Sequence, residues 1–350
     1  MRVVVVGATG NTGTSTVRAL VGDPQVTSVV GLARRRPDSS VDGVEWREAD
    51  VRSSDLVSHF RGADAVVHLA WLIQPSRDLA TVRAVNVDGS ARVFDAVAAA
   101  GVPALVYASS VGAYSPGPKD EMVDESWPTE GIRSSFYSRH KAEVEQLLGT
   151  FETMHSDVRV VRLRPGLIFK RGASSEIRRY FVGPFLPSQL LRPELIPVVP
   201  DIPRLRFQAV HSLDVGEAYR LAVVRDVRGA FNVAADPVLD PRELGRLLGA
   251  RPVRVPARVV RGLAHVSWKL RLQPTPAGWL DMALGVPLMS TARARNGLGW
   301  QPSHTSGEAL LELIGGMRES AGEETPPLES GAGGPLRLRE LLTGVGRGAA

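Results

Sequence analysis

The sequence predicts an α/β fold built on a doubly wound parallel sheet, with a smaller C-terminal substrate lobe. Three observations carry this. Four consecutive valines, Val3 to Val6, run straight into Gly7, Gly10 and Gly13, which suits a strand buried on both faces, a tight turn and the first turn of a helix. Strand-like apolar runs then alternate with helical patterns as far as residue 164, as in a parallel sheet with right-handed crossovers. From about residue 166 the chain becomes rich in proline and arginine. The expected division is a dinucleotide-binding domain over 1–165 to which 205–230 return, a substrate lobe over 166–204 and 231–319, and a mostly disordered tail over 320–350.

The opening turn reads Gly7-Ala8-Thr9-Gly10-Asn11-Thr12-Gly13. Glycines there let backbone approach a pyrophosphate with no Cβ in the way, and the N–H groups at the start of the next helix point at the anion. Gly7, Thr9, Gly10, Asn11, Thr12 and Gly13 are therefore candidate cofactor contacts. Asn11 to Val21 is the first helix and Val26 to Ala33 the second strand, which stops at Arg34-Arg35-Arg36-Pro37. In a dinucleotide fold the end of this strand faces the adenosine ribose. An acidic residue would bind the 2′-hydroxyl and arginine a 2′-phosphate. No acid occurs from Gly31 to Arg36, so Arg34 and Arg35 point to NADP, with NAD as the alternative.

Val44 to Ala49 forms a third strand leading into Asp50 and Val51, expected at the adenine edge; a helix follows over Ser53 to Phe60. Ala63 to Leu69 is the fourth strand, and Leu69 and Ala70 at its carboxyl end should border the cofactor. His68 is read as a packing residue. Leu79 to Ala100 is a long helical stretch containing Asn86, a further cofactor candidate, and Ala104 to Ser110 is the fifth strand, ending in Ser109-Ser110. Pro165 should lie near the nicotinamide.

Composition narrows the function. With 350 residues and 43% hydrophobic content, the chain can bury a large core. Its longest apolar run, Ala65 to Ile73, falls far short of the ~20 residues that span a bilayer. The expectation is a cytoplasmic protein with no stable membrane association. The absence of cysteine excludes disulfides, thiolate catalysis and Cys-ligated zinc, and the seven histidines show no helical metal-ligand spacing, so no metal is expected. The net charge of +5 is spread along the chain without a nucleic-acid-binding motif, which argues against a nucleic-acid partner.

Ser134 to Phe151 is an amphipathic helix, with Ser134 or Ser135 as the cap. It sets Tyr137 and Lys141 four residues apart on one face. The chain has four lysines against 38 arginines, yet lysine stands here, where a compact, tunable ammonium is wanted. A tyrosine titrates near pH 10, so acid–base work around neutrality asks for a downward shift of roughly three units, part of it from Lys141. Ser110 can hydrogen-bond the substrate oxygen.

Taken together, the glycine loop, Asp50-Val51, His68-Leu69-Ala70, the Tyr107 to Tyr114 segment, Tyr137 to Lys141, Arg164 to Gly166 and His211 to Val215 resemble the extended short-chain dehydrogenase/reductase superfamily, in its epimerase/dehydratase branch. The resemblance covers most of the first 220 residues. It implies a Rossmann-like fold, Tyr137 as acid/base, Lys141 on the nicotinamide ribose, Ser110 polarising the substrate with Ser109 beside it, and a homodimer through the helices at 79–100 and 134–151. Two departures matter. Val111-Gly112 follow Ser110 where dehydratases carry an acidic pair, and Gly166 to Arg171 lack the Asn-x-Tyr-Gly-Pro-like continuation of nucleotide-sugar epimerases.

The function expected is hydride transfer between a nicotinamide cofactor and a carbonyl or alcohol of a small molecule. The alternatives are epimerisation by transient oxidation and a noncatalytic NADP-sensing regulator. In the lobe, Phe181, Phe185, Leu186 and Leu190 are candidates for an apolar wall, and Ala257 to Leu272 is an amphipathic helix with a basic face.

Overall fold

The computed structural model describes residues 1–37, 41–182 and 197–329. Seven parallel strands form the central sheet: β1 (Arg2–Val6), β2 (Ser28–Ala33), β3 (Val44–Glu48), β4 (Ala65–His68), β5 (Ala104–Ala108), β6 (Arg159–Pro165) and β7 (Gly229–Val233). Their spatial order is β3-β2-β1-β4-β5-β6-β7, so the winding reverses between β1 and β4. Ligands in open α/β sheets bind at that reversal.

The valine run explains why β1 is central. Val4 and Val6 enter one core with Phe60, Phe94 and Leu148, while Val3 and Val5 enter the other with Val17, Leu20 and Tyr219. A strand sandwiched this way has no polar face to show, hence no alternation in its sequence. One layer of helices holds α1 (Asn11–Val21) and α6 (Ser212–Val224); the other holds α2 (Leu56–Phe60), α3 (Leu79–Arg83), α4 (Gly89–Ala99) and α5 (Phe136–Met154). Small residues let α1 and α6 touch. A Cβ on Gly216 would sit 2.6 Å from the Ser15 carbonyl oxygen, and the Ser15 and Ser212 hydroxyls bond at 2.8 Å.

Several boundaries differ from expectation. The stretch from Leu79 is not one regular helix: a π-helical turn, Ala84–Asp88, joins α3 to α4. Asn86 sits in this turn with both amide atoms bonded to Leu72, accepting from its N–H at 2.7 Å and donating to its carbonyl at 3.0 Å. The seventh strand begins at Gly229, so residues 231–233, assigned from sequence to the lobe, belong to the sheet.

The expected tail is also corrected in part. Residues 320–329 pack onto the body: the Ala321 carbonyl accepts from Ser174 and Ser175 at 2.9 and 2.8 Å, Glu323 pairs with Lys170 at 2.8 Å, Thr325 donates to the Thr9 carbonyl at 2.9 Å, and Leu328 is fully buried. Composition alone suggests disorder because it does not register four specific anchors supplied by distant segments. Residues 330–350 lie outside the described residues, as do Phe185, Leu186 and Leu190.

Candidate active site

At the carboxyl ends of β1 and β4 the glycine loop meets the Leu69-Ala70 segment. Gly7 has φ +86°, and a Cβ there would lie 2.6 Å from the Ala70 nitrogen; both facts demand glycine. A Cβ on Gly13 would lie 2.3 Å from the Gly7 carbonyl oxygen, whereas one on Gly10 would meet nothing nearer than 3.7 Å. The backbone at Gly10 is thus open. It begins α1 without a side-chain cap and with no acid in the first turn, which leaves the positive end of the helix available to an anion. Asn11 donates to the Ile168 carbonyl at 3.2 Å, while its own Oδ1 is buried with no partner. An unsatisfied buried acceptor and an uncapped helix start fit a dinucleotide phosphate with its hydroxyl-bearing ribose.

The end of β2 is basic. Arg34 lies among Asp50, Arg52 and Arg35; burial, with the repulsion of Arg52 and Arg35, holds its pKa below the usual guanidinium value against the pull of Asp50. Asp50 is less available than the sequence suggests. Both of its carboxylate oxygens take Arg52 at 2.8–3.1 Å, and these hydrogen bonds hold its pKa low against burial. Val51 packs against Gly89, and its carbonyl accepts from Arg92 at 2.9 Å.

Ser135 caps α5, accepting from the Ser138 N–H at 3.3 Å, and this start sets Tyr137 and Lys141 on the side facing β5. The Gly112 N–H donates to Ser110 Oγ at 3.0 Å, and the Ser110 hydroxyl lies next to the Tyr137 phenol, whose pKa it draws down. A Cβ on Gly112 would press within 2.8 Å of the Tyr137 ring. Ser110, Tyr137 and Lys141 are all nearly buried.

The electrostatics depart from expectation. Burial pushes Tyr137 up to about 12, and the group that pulls it down is Ser110, not Lys141. The Lys141 ammonium instead donates to the Ala108 carbonyl at 2.6 Å and lies 3.5 Å over the Trp71 ring. Burial lowers its pKa well below the ordinary value, opposed by Glu145. His68 is enclosed and bonded to Ser90 at 2.9 Å; burial lowers it to about 3, which makes it a neutral packing residue.

Two further predicted contacts are otherwise engaged. The Ser109 hydroxyl donates to Glu145 at 2.5 Å, and the Asn86 amide is used on Leu72, fixing the loop that carries Trp71. Pro165 ends β6 opposite Val233. No group of three or more His, Cys, Asp or Glu able to hold a metal occurs among the described residues, and none of their helices is long and apolar enough to cross a membrane.

The sequence reading missed Glu145, Trp71 and Trp279. Glu145 had a signal, standing four residues beyond Lys141 on the same helix face. Trp71 adjoins the Leu69-Ala70 edge. Trp279, whose ring centroid lies 5.1 Å from that of Tyr137, had none.

Comparison with known proteins agrees with this architecture. An uncharacterised protein of Mycobacterium tuberculosis is 27% identical over 325 residues, 92% of this chain and 31% of that protein, so the chain spans about a third of its relative. The L-arabinose 1-dehydrogenase (NAD(P)(+)) of Haloferax volcanii is 39% identical over 110 residues, 31% of this chain and 41% of that protein. Among solved structures, the Thermus thermophilus UDP-glucose 4-epimerase complex with NAD is similar in fold, with a TM-score of 0.66 at 22% identity over 91% of this chain and 99% of that one. Residues 3–234 match the NAD dependent epimerase/dehydratase family as a whole, and with its parallel sheet, glycine loop and buried Ser-Tyr contact the chain belongs to that family.

Proposed function

We propose that the protein is an NADP-dependent oxidoreductase that reduces a carbonyl, or oxidises the corresponding alcohol, with Tyr137 as proton donor and acceptor. The observation that carries the reading is a buried Tyr137 phenol next to the Ser110 hydroxyl, which draws its pKa down against burial, on the helix that also carries Lys141. The family membership and the cofactor named for the Haloferax dehydrogenase support it.

A bound nicotinamide would supply or take the hydride. Gly10 and the start of α1 would hold its pyrophosphate, and Arg34 with Arg35 would bind the 2′-phosphate. Ser110 donates to the substrate oxygen and fixes it beside the phenol. Tyr137, held protonated at neutral pH, gives its proton to that oxygen as the carbonyl carbon is reduced. Lys141 orients the ribose. A homodimer through α3–α4 and α5 is part of the same proposal, on the strength of the resemblance.

The test is NADPH oxidation across a panel of aldoses, alkyl ketones and ring ketones. Tyr137→Phe should lower kcat at least 100-fold, a typical contribution of general acid catalysis, with NADPH affinity kept within about threefold. A Tyr137→Phe variant as fast as the parent refutes the assignment. Conversion of a nucleotide sugar to its isomer without net NADPH use would replace it with epimerisation.

A further inference from the structure

The surroundings of Tyr137 are aromatic to a degree that the catalytic set does not require. The Trp71 ring lies edge-on to it at 6.0 Å and Trp279 lies at 5.1 Å. Phe181 packs on Trp279 at 4.9 Å and Phe136 at 6.0 Å, both edge-on. Met282 and Gly112 complete the wall, the glycine lying so close that a Cβ would come within 3.2 Å of the Met282 sulfur. Trp71, Trp279 and Phe181 remain partly exposed while the phenol is nearly buried, so the rings line the approach to it.

Among the described residues, three cations near this wall are engaged elsewhere. Arg261 forms a bidentate pair with Asp281 at 2.7 and 3.0 Å. Arg204 donates to the carbonyls of Leu284 and Gly117 at 3.1 and 2.6 Å, and Lys119 to those of Arg206 and Ala283 at 2.7 and 2.9 Å. A sugar diphosphate needs cationic forks and several hydroxyl partners, and an aromatic wall supplies neither. It does supply two donors, since the indole N–H groups of Trp71 and Trp279 are both buried without a hydrogen-bond partner.

We propose that the substrate is a flat, largely apolar ring compound carrying the reacting carbonyl or hydroxyl and one further acceptor oxygen, with Trp279 as the specificity-determining residue. The rings clamp its faces, Ser110 and Tyr137 take the reacting oxygen, and an orphaned indole N–H meets the second. The inference rests on the oxidoreductase reading for the reacting group, and its test separates the two.

The protein loaded with NADP⁺, which cannot reduce a ketone, is titrated with cyclohexanone, 2-tetralone, a methoxy-substituted 2-tetralone and UDP-glucose, following tryptophan fluorescence. Dissociation constants should fall by roughly fourfold for each added CH₂ equivalent that is buried, thus at least tenfold from cyclohexanone to 2-tetralone, with a further gain from the methoxy oxygen. Trp279→Ala should abolish the dependence on ring size and Trp279→Phe retain it. UDP-glucose binding more tightly than 2-tetralone, or affinity indifferent to ring size, overturns the inference. NADPH assays then divide the claims. Ring-size-dependent binding without turnover of any ketone sinks the oxidoreductase reading alone, and Tyr137-dependent reduction of aldoses without ring-size preference sinks this one alone.

Discussion

Replacing Glu145 by glutamine tests how the site is held. The carboxylate is 2% exposed and accepts from Ser109 at 2.5 Å, Arg164 at 2.8 and 3.0 Å and Arg162 at 3.2 Å. Burial would raise its pKa, but Arg164, Arg162 and Ser109 outweigh this and hold it low. Glu145→Gln keeps the shape, sets an amide N–H against a guanidinium donor and leaves Arg164 charged in a dry environment. Breaking a buried pair in this way costs about 3–5 kcal/mol. At about 2.1 cal/mol/K per residue the chain has an unfolding entropy of about 0.7 kcal/mol/K, so Tm should drop by about 4–7 °C.

Glu143→Gln is the control, because Glu143 makes an equally short bidentate pair with Arg83, at 2.6 and 2.7 Å, with both side chains more than a third exposed. It should cost under about 1 kcal/mol. Differential scanning calorimetry at pH 7 reads both. The sign with pH follows from the lowered folded pKa of Glu145. Its contribution is present above the unfolded value near 4.3 and lost as pH falls through the folded value, so the gap between parent and variant should close below about pH 4. Equal Tm losses for the two variants, or a gap unchanged at pH 3, would refute the reasoning.

Arg34→Asp should weaken NADPH binding about 10–100-fold while leaving NADH within a few-fold, since a charge-assisted contact to the 2′-phosphate is worth about 1.5–3 kcal/mol; fluorescence titration of both cofactors checks it. With Tyr137 pushed up to about 12, the phenol is protonated across neutral pH. Ketone reduction should therefore be nearly flat from pH 6 to 8, while alcohol oxidation, which needs the phenolate, should rise with pH over the same range in initial-rate profiles. Thr325→Val combined with Glu323→Gln removes the tail's bonds to Thr9 and Lys170. This should weaken cofactor binding several-fold and, because Lys170 is left charged with its side chain 5% exposed, also lower Tm by a few degrees, measured by isothermal titration and calorimetry.

The sequence by itself determined the parts of this protein whose physics is local. A buried parallel strand needs apolar residues on both faces, so Val3–Val6 were legible as β1; a close backbone approach needs glycine, so Gly7 and Gly13 were legible as a loop pressed against its neighbours; and helical spacing put Tyr137 and Lys141 on one face of α5. Tertiary structure decided what those groups do with one another. The distance from Lys141 to a carbonyl of β5 and to the Trp71 ring, the use of Ser109 by Glu145 and of Asn86 by Leu72, and the bond from Thr325 to Thr9 join segments from 14 to 316 residues apart. No periodicity records which of several nearby partners a side chain will choose. That choice, and the pKa of a phenol with it, depends on burial and on the exact neighbours present, which only the folded chain supplies.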